Sequence, residues 1–192
     1  MQLESSEKRR RAERLRRSCE PEMENTIMGE PWDFQMLIGL AKRKYSSDEK
    51  ASDLFRKIAA NQVEFHRGHS ELAEFLVAGQ QAVCFTCYSH HFPPRMQKGA
   101  PIQLLLTEGV GEVGGAVSIL KGAPHPNAAL LWARWAISEG QRVYAQAGET
   151  PAHPNVAPIE RVRPAAAYML SIDDHKEFPR YEKLWKEIFQ IR

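Results

Sequence analysis

The chain has 192 residues, of which 43% are hydrophobic, 9% aromatic and 26% charged, with three cysteines. These proportions exclude a collagen-like repeat, a disulfide-built miniprotein and a wholly disordered chain, and the length is ample for a buried core. Net charge is +2, yet the first twenty residues alone carry seven basic side chains against four glutamates, so the rest of the chain is close to neutral.

Residues 1–31 read as a basic, disordered or helical head that ends in the breaker-like Met28-Gly29-Glu30-Pro31. Ser5–Arg17 has too few apolar residues for a buried helical stripe, and its interleaved glutamates argue against a nucleic-acid arm. From Trp32 the texture changes. Met36, Leu37, Leu40 and Ala41 recur at helical spacing; Leu54, Ile58 and Ala59 repeat it after the caps Ser46-Ser47-Asp48 and run to about Asn61. A third helix is expected from the cap Ser70, with Leu72, Leu76 and Val77 inward and Gly79 as its stop.

The run from Ala82 to Tyr88 predicts a strand covered on both faces, and Ile102–Leu106 and Gly115–Leu120 predict two more. Pro124-His125-Pro126-Asn127 opens the strongest helix, whose inward stripe is Leu130, Leu131, Trp135 and Ile137; a second helix follows Gly140 through Val143, Tyr144 and Ala147. A proline-rich surface stretch (Pro151, Pro154, Pro158, Pro164) leads to a final helix over 173–191, capped by Asp173 or Asp174 and apolar along Phe178, Tyr181, Leu184, Trp185, Ile188 and Phe189. Alternating helices and strands place the chain in the α/β class.

No catalytic constellation emerges, so no enzyme activity is expected. Cys84-Phe85-Thr86-Cys87 lies inside a strand rather than at a helix start, and reads as buried structural cysteine. Gly109–Gly115 lacks the Gly-Lys-Ser/Thr ending of a phosphate loop. Cys87, Tyr88, His90 and His91 alternate along an extended segment and cannot all converge on one metal ion. No apolar run approaches the roughly 18–20 residues of a membrane span, and none near the start has the apolar core of an export signal. As written the chain is expected to remain in the cytoplasm.

Lys121-Gly122-Ala123-Pro124-His125-Pro126-Asn127-Ala128-Ala129, continued by Ser138-Glu139-Gly140-Gln141, resembles the signature of bacterial ABC-importer solute-binding proteins, in the ferric-iron and related branch of the type 2 periplasmic binding proteins. Phe55–Gln62, Gly68-His69-Ser70, Val77-Ala78-Gly79-Gln80 and Lys98-Gly99-Ala100-Pro101 resemble further fragments in the family's order, covering about residues 32–160. The resemblance implies a periplasmic-binding-protein-like lobe over 32–192, with a small, mainly parallel or mixed sheet flanked by helices and with the N-terminal lobe missing. It implies capture of a small solute in an interlobe cleft, delivery to an ABC permease, and a periplasmic location.

The candidate ligand-binding residues are Thr86, Tyr88, Ser89 and His90, just beyond the end of the expected strand where ligands gather in open α/β sheets, and His69 and Ser70, which head a helix and would serve an anion or a plain N-cap. Iron-binding members carry two adjacent tyrosines where this chain has Cys87 and Tyr88, so no cofactor is expected and ferric ion is only a weakened option. The isolated lobe is expected to self-associate, with no nucleic-acid partner. The alternatives are a truncated or mispredicted remnant without ligand binding, and a cytosolic protein with a basic, nucleic-acid-binding head.

Overall fold

The structure, a computed structural model, describes residues 23–105, 109–111, 116–159 and 167–191. The basic segment and Cys19, the glycines at 114 and 115, and Pro164 lie outside these residues. The described chain is mixed α/β and divides into two compact units.

The first unit is built on three short parallel strands. β1 (Ile27–Gly29) is central, flanked by β2 (Glu64–Phe65) and β3 (Val83–Cys84). Ile27 and Met28 are fully buried. The stretch read from sequence as the breaker closing a polar head is therefore the middle of the sheet. Only three residues long, β1 shows no periodicity of its own, and its terminal Gly29 with the Glu30-Pro31 that follows masked the signal.

Between β1 and β2 the chain forms α1 (Gln35–Gly39), which widens into a π-helical stretch over Leu40–Tyr45, and then α2 (Asp48–Ala59). The expected cap of α2 is present: Ser47 Oγ accepts from the Lys50 N–H at 3.3 Å, and Asp48 and Glu49 place negative charge in the first turn. Between β2 and β3 lies α3 (His69–Val77), which stops at Gly79 with φ +71°. Its N-cap is Gly68, so Ser70, expected as the cap, sits inside the first turn.

After β3, the expected seven-residue strand is cut short, because Cys84 and Cys87 are joined in a disulfide across a Cα–Cα distance of 5.7 Å. This corrects the reading of both as inert buried thiols. The first unit is completed by a parallel pair, β4 (Gly109–Gly111) and β5 (Ala167–Met169), by a 3-10 segment over Ile172–Glu177, and by α7 (Phe178–Phe189).

Leu37, Ile38, Ala51, Phe55, Leu170, Tyr181 and Trp185 form the core, with Phe65, Phe85 and Phe189 packed against it. Trp185 is fully buried: its ring meets Phe55 edge-on at 5.1 Å, and its indole N–H donates to the Pro31 carbonyl at 2.9 Å. Gly29 is required by this packing, since a Cβ there would lie 2.4 Å from a Phe85 ring carbon.

The second unit contains a 3-10 turn over Ser89–His91, α4 (Pro93–Gln97), α5 (Pro126–Ala136) and α6 (Gly140–Gln146). Proline stands in the first turn of α5, as its tolerance for that position requires. The stripe expected to point inward does not. Leu131 is 71% exposed and Ile137 66%, while Ala136 and Ala145 are buried. An apolar helical stripe predicts burial only where another element covers it, and the described neighbour of α5 is the short α6. Residues 102–105 and 116–120, expected as strands, form no regular ladder. Within this unit Gly148 stands at φ +96°, where a Cβ would meet the His90 carbonyl oxygen at 2.2 Å.

Candidate functional site

Parallel strands deliver their following loops to one edge of the sheet, and in open α/β sheets that carboxyl edge is where ligands gather. Here β1 runs into Glu30-Pro31-Trp32-Asp33, β2 into His66-Arg67-Gly68-His69, and β3 into Phe85-Thr86-Cys87-Tyr88. All three loops supply polar groups to that edge.

The first two strand exits are tied together by backbone pairing, because the His66 N–H donates to the Gly29 carbonyl at 3.1 Å. The first and third are tied by a side chain: the Glu30 N–H donates to the buried Thr86 Oγ1 at 2.8 Å. Thr86 thus extends the β1–β3 ladder by one hydrogen bond where Cys84–Cys87 has already turned the third strand away. Two residues on, the His69 and Tyr88 rings are stacked, with centroids 3.5 Å apart and planes within 15°. Tyr88 is 49% exposed and forms the open side of this stack.

Beside the stack, Glu30, Asp33 and His69 bring one ligand atom each to within 4.8 Å of the others. His69 Nε2 and Asp33 Oδ1 are 3.6 Å apart, and both side chains are about six-sevenths buried, with 15% and 14% exposed. Glu30 is buried as a whole residue, and its Oε2 accepts from the Trp32 N–H at 2.6 Å. The α3 N-terminus starts at His69, so the positive end of the helix dipole favours the carboxylates gathered there.

Of the six candidate residues, three are assembled here: Thr86 as a bracket, Tyr88 and His69 as a stacked pair. Ser70 follows His69 in α3. Ser89 and His90 begin the 3-10 turn of the second unit, where His90 Nε2 lies 3.4 Å from Glu149 Oε1. Sequence reasoning missed Glu30 and Asp33. Their signal was an acid-x-x-acid pair directly after a strand, hidden because the strand itself was not recognised. The adjacent Cys84 and Cys87 are oxidised to each other and offer no thiolate.

Away from this edge, a groove of about 400 Å³ lined by Arg56, Ala59, Val63, Ile188 and Phe189 lies at the residues leading into β2, towards the amino-terminal edge. It carries one charged side chain and no cluster of titratable groups. No described helix is long and apolar enough to cross a membrane. Comparison of the chain with protein-family models, curated proteins and solved structures finds no match.

Proposed function

We propose that the chain is a lobe of a bacterial ABC-importer solute-binding protein, a non-enzymatic component that captures a small polar solute and passes it to a permease, working in the periplasm. The observation that carries this reading is the convergence of three strand-exit loops on one edge of a parallel sheet, with the stacked His69 and Tyr88 rings there. The signature Lys121–Ala129 and the fragments in family order support it from sequence. Tyr88 and His69 offer a flat aromatic and imidazole platform, Thr86 sets the spacing of the loops beneath it, and Ser70 adds a hydroxyl in the turn after His69. Affinity in a hinged binder comes from both lobes closing on the solute, so a single lobe binds more weakly than the pair.

A thermal-shift screen of polyamines, carboxylates, sugar phosphates and thiamine-like cations tests the reading. A ligand at a hundred times its Kd stabilises the native state by about 2.7 kcal/mol. One class should raise the melting point of the wild-type chain and fail to do so for Tyr88→Ala. If every class leaves the wild-type melting point unmoved, or if Tyr88→Ala responds as the wild type does, the assignment is wrong.

A further inference from the structure

We propose that Glu30, Asp33 and His69 form a binding site for a divalent first-row transition-metal ion of the zinc type. The site shares the sheet edge with the solute-binding reading but does not depend on it.

Three features carry the inference. The first is geometry. A tetrahedral ion at about 2.1 Å from its ligands holds them about 3.4 Å from one another. His69 Nε2 and Asp33 Oδ1 already stand 3.6 Å apart, and the Glu30 oxygen needs to close from within 4.8 Å, a movement that side-chain rotation supplies.

The second is charge. Glu30 is buried, its carboxylate receives one hydrogen bond, from Trp32, and among the described residues no lysine or arginine forms an ion pair with it. A second carboxylate, Asp33, lies in the same cluster. Buried carboxylates are costly unless paired or bound to a cation, and a divalent ion seated among Glu30, Asp33 and His69 would supply that charge.

The third is the donor set. Two carboxylates and one imidazole suit zinc and its neighbours; an all-oxygen set would favour magnesium or calcium. The ligands also come from two separately anchored loops. Glu30 is fixed through its N–H to Thr86, and His69 by its place at the first turn of α3 and by the Tyr88 ring against it. Three protein ligands leave a fourth position for water or for a polar group of a bound molecule.

The test uses the full chain, freed of metal with a chelator and kept without reductant so that Cys84 and Cys87 remain joined. Titration with zinc chloride, followed by calorimetry, should give one ion per chain with a Kd of about 1 µM or tighter. His69→Ala and Asp33→Asn should each weaken binding about tenfold or more. His90→Ala/His91→Ala should leave it unchanged, and magnesium should bind at least about tenfold more weakly than zinc. Circular dichroism checks that the variants fold. On the wild-type protein alone, zinc should shift the imidazole nitrogen resonances of His69 before those of His90 and His91. Absence of zinc binding, equal affinity in the His69 and Asp33 variants, equal affinity for magnesium, or first movement of the His90 and His91 resonances would each overturn the site.

Discussion

Asp174 shows how much one side chain can organise. Its Oδ2 accepts from the Ser171 N–H at 2.7 Å and from the Ser171 hydroxyl at 2.9 Å, closing a capping box at the start of the 3-10 segment. The same carboxylate meets Arg43 at 2.6 Å and Lys42 at 3.1 Å. The Ser171 backbone bond chiefly, against the opposing effect of burial, and then Lys42 and Arg43 hold its pKa down to about 2, from an ordinary 3.8. A depressed carboxylate stabilises the fold above its unfolded pKa and loses that contribution as pH falls. Stability should therefore decline as pH drops from about 4 towards 2, and Asp174→Asn should flatten this part of the acid-unfolding curve. Asp174→Ala should cost about 1–2 kcal/mol in urea unfolding at neutral pH, the range of a lost helix cap. Either Asp173 or Asp174 is a reasonable cap from sequence alone. In the structure neither is the cap: Ser171 caps the 3-10 segment with Asp174 as the third residue of its box, and Glu177 precedes the helix. Lys42 and Arg43 reach Asp174 from 131 or more residues away, a distance no local pattern encodes.

At the scale of elements, legibility follows the number of helical turns. α2 and α7, each twelve residues long, repeat their apolar face three times, and both stand close to where the spacing of Leu54 and Ile58 and of Tyr181 and Trp185 puts them. The strands are two or three residues long, too short for any period to establish itself, so β1 was missed and the Ala82–Tyr88 run was read as too long. The loss of β1 also hid half of the candidate site, because Glu30 and Asp33 acquire meaning only as residues leaving a strand. Thr86 and Tyr88 were legible as residues just beyond the end of a strand, and His69 as the head of a helix. α7 seals the core with Trp185, and deleting a fully buried indole leaves a cavity ringed by Phe55, Phe85 and Phe189. Trp185→Ala should destabilise the chain by about 3–5 kcal/mol, read as a lowered urea midpoint. A loss under about 1 kcal/mol would mean that α7 does not hold the first unit together.

Across the whole molecule the two units differ in how well they bury their apolar residues. The first has a contiguous aromatic and aliphatic core. In the second, Leu120, Leu131, Trp132 and Ile137 are each more than half exposed, and only small residues such as Ala136 and Ala145 are buried in α5 and α6. Apolar exposure on this scale favours association. Sedimentation velocity should accordingly show the chain's mean mass rising with concentration, and Leu131→Lys/Ile137→Lys should suppress the rise; a mass independent of concentration in the wild type would refute the expectation. The stripe on α5 was read correctly as apolar and wrongly as inward, because amphipathicity states which face seeks cover and not whether cover exists.

The Cys84–Cys87 link encloses just Phe85 and Thr86, one residue that packs against the core and one that receives the Glu30 N–H. Closing so small a ring removes freedom from the unfolded segment rather than adding contacts to the folded one. Its consequence is that the ordering of the sheet edge depends on the thiol–disulfide poise of the surroundings. Where thiols keep cysteines reduced, the segment carrying Thr86 and Tyr88 regains its torsional freedom, and any molecule held there must supply that ordering from its own binding free energy. In an oxidising compartment the cost is met covalently, before the first encounter.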